Sequence, residues 1–127
     1  MCRSAQLKER TKQLAIRIVT LFRSLPRTEE ARVLGKQVLR SGTSLAANYH
    51  AVCRARSKAE FVAKIGTVVE EADETVFWLG LLVETGIVAA KRTESLVAEA
   101  NELLAIFAAS HRTAKKTRSN LVDSARQ

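Results

Sequence analysis

The sequence predicts an all-α fold: an antiparallel up-down four-helix bundle that is homo-oligomeric. Three observations predict it. Apolar residues recur at helical spacing in four separate segments joined by short connections. The composition suits helix over strand, with one Pro and five Gly among 127 residues and abundant Ala, Leu, Val, Glu, Lys and Arg. The third segment carries apolar residues on opposite faces, one more face than a lone bundle needs.

The first segment runs from about Ser4 to Arg23. Leu7, Leu14, Ile18, Leu21 and Leu25, with Thr11, form one stripe, and Ser4 is placed to cap the start. Pro26 and the polar Arg27-Thr28 break the chain. Thr28 caps the second helix, and Glu29 and Glu30 complement the dipole of its first turn. Its stripe is Ala31, Leu34, Val38, Ser41, Leu45, Asn48 or Tyr49, and Val52. Ser41-Gly42-Thr43-Ser44 is weak in helix propensity, and reads either as a surface for close approach of a neighbouring helix or as a break.

Ser57-Lys58-Ala59-Glu60 is a capping box directly before Phe61. The third stripe follows as Phe61, Ile65, Val68, Ala72, Val76, Leu79 and Val83, and Thr85-Gly86 ends it. The fourth helix is expected from near Thr93, using Leu96, Ala100, Leu103 and Phe107. The apolar rhythm fails after Ser110, so residues 1–110 read as the bundle and 111–127 as a basic, flexible tail.

Net charge is +8, unevenly spread. Residues 1–27 carry seven basic and one acidic side chain, residues 28–110 nine and eleven, and residues 111–127 five and one. The positive field therefore lies in the two terminal segments, which points to an anionic partner, RNA or DNA foremost. Arg3, Arg10 and Arg17 recur every seven residues along one edge of the first helix. Arg54 and Arg56 sit at the second turn, and Lys115, Lys116 and Arg118 lie in the tail. These eight are the candidate nucleic-acid contacts. Most aromatics fall on apolar stripes, so backbone and shape recognition is expected over base readout.

Other chemistries have weak support. No run approaches the roughly 20 apolar residues of a membrane span, and the acids Glu70, Glu71, Asp73 and Glu74 argue against a membrane-surface helix. Met1-Cys2-Arg3-Ser4 leads into a charged helix and does not read as a signal peptide, so a cytoplasmic location with Cys2 and Cys53 reduced is expected. Cys53 stands beside Arg54 and Arg56, which favour a thiolate, but a small packed side chain is the commoner role. His50 and His111 lack the Glu-x-x-His spacing of a di-metal bundle. No metal or cofactor is expected, and no nucleophile constellation or phosphate loop is present.

Glu71, Glu74 and Trp78 share one flank of the third helix. An antiparallel hairpin brings Arg40 to their level, which gives a structural ion pair in preference to a carboxylate reaction site. Phe77 and Leu81 fall opposite the core stripe, and Ile16 and Val19 lie off the first one. Clustered exposed apolars mark contact surfaces, so these four are the candidate oligomer interface.

Residues 34–88 carry a further pattern: Leu34-Gly35-x-Gln37-x-x-Arg40-Ser41-Gly42-Thr43-Ser44-x-x-x-Asn48-Tyr49, Ala55-x-Ser57, Phe61, Lys64, Glu71-Ala72-x-Glu74-Thr75 and Trp78-Leu79. It resembles the small bundle proteins encoded in intervening sequences of bacterial large-subunit ribosomal RNA genes. The resemblance implies a cytoplasmic four-helix bundle assembling as a homopentamer, with no catalytic residues to carry over. At fold level the chain is also similar to the accessory bundle of diversity-generating retroelements, a basic pentamer thought to engage nucleic acid and a reverse transcriptase. Many family members have an acid near position 51, where this chain has Ala51. The leading expectation is a non-enzymatic oligomer that binds structured RNA or other nucleic acid. The alternatives are a protein-interaction scaffold and, least favoured, a metal-dependent or hydrolytic enzyme.

Overall fold

A computed structural model describes residues 4–126, with side-chain surroundings for residues 5–120. Four helices make up the described chain: α1 (Ser4–Ser24), α2 (Glu29–Val52), α3 (Lys58–Glu84) and α4 (Ala90–Arg126).

Local chemistry sets each boundary. Thr28 accepts a hydrogen bond from the Ala31 N–H, and Ser57 accepts one from the Glu60 N–H, so both N-terminal caps occupy donors that have no partner within the helix. At the end of α3, Gly86 takes φ 77°, its N–H reaches the Val83 carbonyl, and the Ile87 N–H reaches the Leu82 carbonyl. This crossed pair of bonds is the Schellman arrangement, and it needs a residue free to turn left-handed.

Cross-helix contacts give the topology. Gly35 faces Phe22 and Leu25 while Gly42 faces Ile18, so α1 and α2 run antiparallel. Thr75 donates to Ser41 at 3.1 Å across α2 and α3, and His111 lies against Gly66 across α3 and α4. Arg10 meets Glu99 and Arg17 meets Ser95, which closes the circuit between α1 and α4. That last pair of helices shares the thinnest contact. The centre holds fully buried Leu14, Ile18, Val38, Leu45, Ile65, Val68, Leu79, Leu82, Leu103 and Phe107. Tyr49 packs on Phe107 with ring centroids 4.9 Å apart. Burying a large apolar side chain contributes about 1.5–3 kcal/mol, so this layer dominates the stabilising side of the balance.

The structure corrects several details. Helix α2 passes unbroken through Ser41–Ser44, which decides between the two alternatives in favour of close approach, with Gly42 against Ile18 of α1. On α3, Thr75 and Leu82 are buried while Val76 and Val83 are half-buried, a small rotation of the expected stripe. Ser4, expected as a cap, is already helical. Helix α4 begins at Ala90 and continues past Ser110 to Arg126. Residues 111–126 contain neither Gly nor Pro and are rich in Ala, Lys and Arg, which sustain helix without an apolar stripe. Ala114 is only 5% exposed, so packing extends one turn beyond the expected end. Cys53 was expected as a reduced thiol but is disulfide-bonded, and the other cysteine, Cys2, lies outside the described residues.

Candidate nucleic-acid interface

Antiparallel topology decides which charges meet. The α2–α3 turn and the C-terminal part of α4 lie at the same end of the bundle, because α3 and α4 pair Gly66 with His111. Residues 4–10, 50–61 and 111–120 together carry nine Lys and Arg side chains against two carboxylates, Glu9 and Glu60. At the opposite end, residues 22–33 and 84–94 carry five cations against four carboxylates. The asymmetry of the sequence thus becomes an asymmetry between the two ends of the molecule.

The candidate contacts fall into distinct groups. Arg54, Arg56, Lys115, Lys116 and Arg118 are all exposed at the basic end. Arg17 is exposed on the side of α1, where its guanidinium donates to Ser95 Oγ at 3.0 Å. Arg3 lies outside the described residues. Arg10 departs from the expected role. Its guanidinium donates to both carboxylate oxygens of Glu99, at 2.8 and 2.9 Å, and pairs with Glu102 at 3.2 Å. The hydrogen bond to Glu99 is the main cause of its raised pKa, so this cation ties α1 to α4 and is already neutralised. Seven-residue spacing along the sequence gave no sign of the acids on the facing helix.

His111 also differs from the cations around it. Burial, aided by nearby Lys115 and opposed by Glu70, lowers its pKa, so it stays neutral at pH 7. Among the described residues, no group of three or more His, Cys, Asp or Glu side chains is placed to hold a metal ion.

On the far flank, Arg40 pairs with Glu74 and lies 3.6 Å from Glu71 Oε2. That oxygen is buried without a hydrogen-bond partner, and so is Trp78 Nε1. Desolvation is the largest cause of a raised Glu71 pKa, reinforced by Glu74 and opposed by Arg40. Phe77 is 58% exposed and stands edge-on to Trp78 at 4.9 Å. Ile16 is 46% exposed, whereas Val19 and Leu81 are half-buried. Val33, which the periodicity did not single out, is 56% exposed on α2.

The sequence model of the family described as 23S rRNA-intervening sequence protein matches residues 3–109. The chain belongs to this family. Its fold also matches the crystal structure of a protein of unknown function from the S23 ribosomal protein family of Bacteroides thetaiotaomicron. Identity is 34%, the TM-score is 0.76, and the match covers 82% of this chain and 96% of that one. Comparison with curated proteins returns no match.

The family pattern in residues 34–88 falls largely on helix contacts. Gly35 and Gly42 receive side chains of α1, Ser41 and Thr75 bond across α2 and α3, and Arg40, Glu71 and Glu74 pair on one flank. The 23S rRNA-intervening sequence protein match ends at residue 109, immediately before the cationic run 111–120.

Proposed function

We propose that the protein is a non-enzymatic homo-oligomer that binds structured RNA or other nucleic acid through its basic end in the cytoplasm. One observation carries this reading: Arg54, Arg56, Lys115, Lys116 and Arg118 share an end whose segments hold only two carboxylates, Glu9 and Glu60. Family membership supplies context, since the family name refers to ribosomal RNA. No helix among the described residues is long and apolar enough to cross a membrane.

Phosphate neutralisation releases counterions, so affinity falls as salt rises, with a log–log slope of about −0.7 to −0.9 per phosphate contact. Anisotropy titration of a labelled RNA hairpin between about 50 and 200 mM salt measures that slope. Tight binding at low salt is expected, and replacing Arg54, Arg56, Lys115 and Lys116 with Glu abolishes it. Failure to bind at low salt, or indifference to salt, overturns the reading.

The exposed Phe77 ring and the orphaned Trp78 N–H lie together on α3, which supports a subunit contact there. The family resemblance implies a homopentamer, which is the assembly proposed for this contact. The same surface favours the second reading, a protein-interaction scaffold, if the protein proves monomeric. A partner that survives nuclease and high salt selects that reading.

A further inference from the structure

Phe61 reads in the sequence as the first member of a core stripe, yet the structure leaves it half-buried at the basic end. Its ring borders two cavities. One, of about 470 Å³, runs between the start of α3 and the C-terminal part of α4, with Ile65, Phe107 and Ala114 among its apolar walls. The other, of about 420 Å³, lies under the α2–α3 turn beside Val52, Arg56 and Lys58. Both lie within the range of about 300–1,000 Å³ typical of small-ligand sites. The Lys58 ammonium is 5.9 Å from the Phe61 centroid.

We propose that this end of the bundle holds an unpaired nucleotide, with its base stacked on Phe61 and its phosphate on Arg56 and Lys58. The inference rests on the nucleic-acid reading above and deepens it. A duplex hides its base faces, so cations alone bind it by shape and charge, whereas an aromatic ring rewards an unstacked base. Ser110, Thr113 and Thr117 also line the first cavity, and a hydroxyl can donate to or accept from a base edge. On the α4 wheel, Lys116 and Arg118 flank that hydroxyl face and extend the positive rim. Charge complementarity thus selects an anionic ligand, and the apolar floor between the cations selects one with a flat apolar part. The Lys58 contact with the ring is weak at this separation, so a base displaces it and frees the ammonium for phosphate.

The test compares a labelled single-stranded oligonucleotide with a hairpin duplex of equal charge, using full-length protein at low salt. Phe61→Leu keeps apolar bulk and removes the aromatic face, while Phe61→Trp restores a stacking surface. Loss of one base stack corresponds to a fall of about 5- to 150-fold in affinity. Phe61→Leu is expected to lose single-strand affinity on that scale with little change for the duplex, and Phe61→Trp to retain it. A 2-aminopurine placed in the strand is expected to be quenched by the wild type and not by Phe61→Leu. Equal single-strand affinity for wild type and Phe61→Leu overturns the nucleotide site and leaves the nucleic-acid reading standing. Displacement of the strand by polyglutamate as readily as by an unlabelled oligonucleotide of equal charge also overturns it, in favour of an acidic peptide. Failure of either nucleic acid to bind overturns the underlying reading as well.

Discussion

Glu71 and Glu74 share one arginine but not one environment. Glu74 is directly hydrogen-bonded to Arg40, while the Glu71 side chain is 17% exposed and one of its oxygens has no hydrogen-bond partner. Desolvation therefore outweighs the attraction of Arg40, and Glu71 holds its proton more tightly in the folded protein than the ordinary value of 4.5. A pKa raised on folding stabilises fully below the unfolded value, and that contribution is lost as pH rises through the folded one. Glu71→Gln keeps the shape and removes the charge, so it is expected to gain about 1 kcal/mol at pH 7. That gain is expected to shrink from pH 7 down into the acid range, as Glu71 takes up its proton at a pKa above the ordinary value. Urea denaturation of both proteins across that interval checks this, and a difference independent of pH contradicts it. Helical spacing in the sequence placed the acids and Arg40 on one flank. Which carboxylate turns inward was not legible, because it depends on a small rotation of α3 about its axis. That rotation also buries Thr75 and Leu82 in place of Val76 and Val83.

At the level of elements, the small residues of α2 set how closely α1 can lie. A Cβ at Gly42 would run into the Ile18 Cδ1 methyl, and one at Gly35 would stand 2.6 Å from Leu25 Cδ1. Ile18 is fully buried, so it has little room to yield. Alanine raises helix propensity by about 1 kcal/mol over glycine, but overpacking a core costs about 1–3 kcal/mol. Gly42→Ala is therefore expected to be destabilising on balance, with a denaturation midpoint below wild type, and a higher midpoint refutes the close approach. Element boundaries were largely legible because they rest on local chemistry: the Thr28 and Ser57 caps and Gly86 act within a turn of their own positions. The end of α4 was not legible in the same way. Residues 111–126 have no apolar rhythm to mark them, and only the position of α3 shows that Ala114 is covered.

For the whole molecule, topology converts a pattern along the chain into a polarity in space. Net charge by segment showed where cations lie in the sequence, but only the antiparallel circuit places the α2–α3 turn beside the end of α4. It also removes Arg10 from the basic surface, since Glu99 and Glu102 face it from α4. The opposite flank poses the question of assembly. Phe77 keeps more than half its surface in water and contributes little to the fold of one chain. A buried aromatic side chain hides about 150–250 Å² and commonly anchors an interface. Phe77→Glu places a charge at that contact while leaving the core of each bundle untouched. Light scattering is expected to show the wild type as an oligomer and Phe77→Glu as a smaller species, with an association loss of about 2 kcal/mol or more. Far-UV circular dichroism is expected to show unchanged helicity. An oligomer that tolerates Phe77→Glu moves the interface elsewhere, and a monomeric wild type leaves the Phe77–Trp78 surface to a different protein.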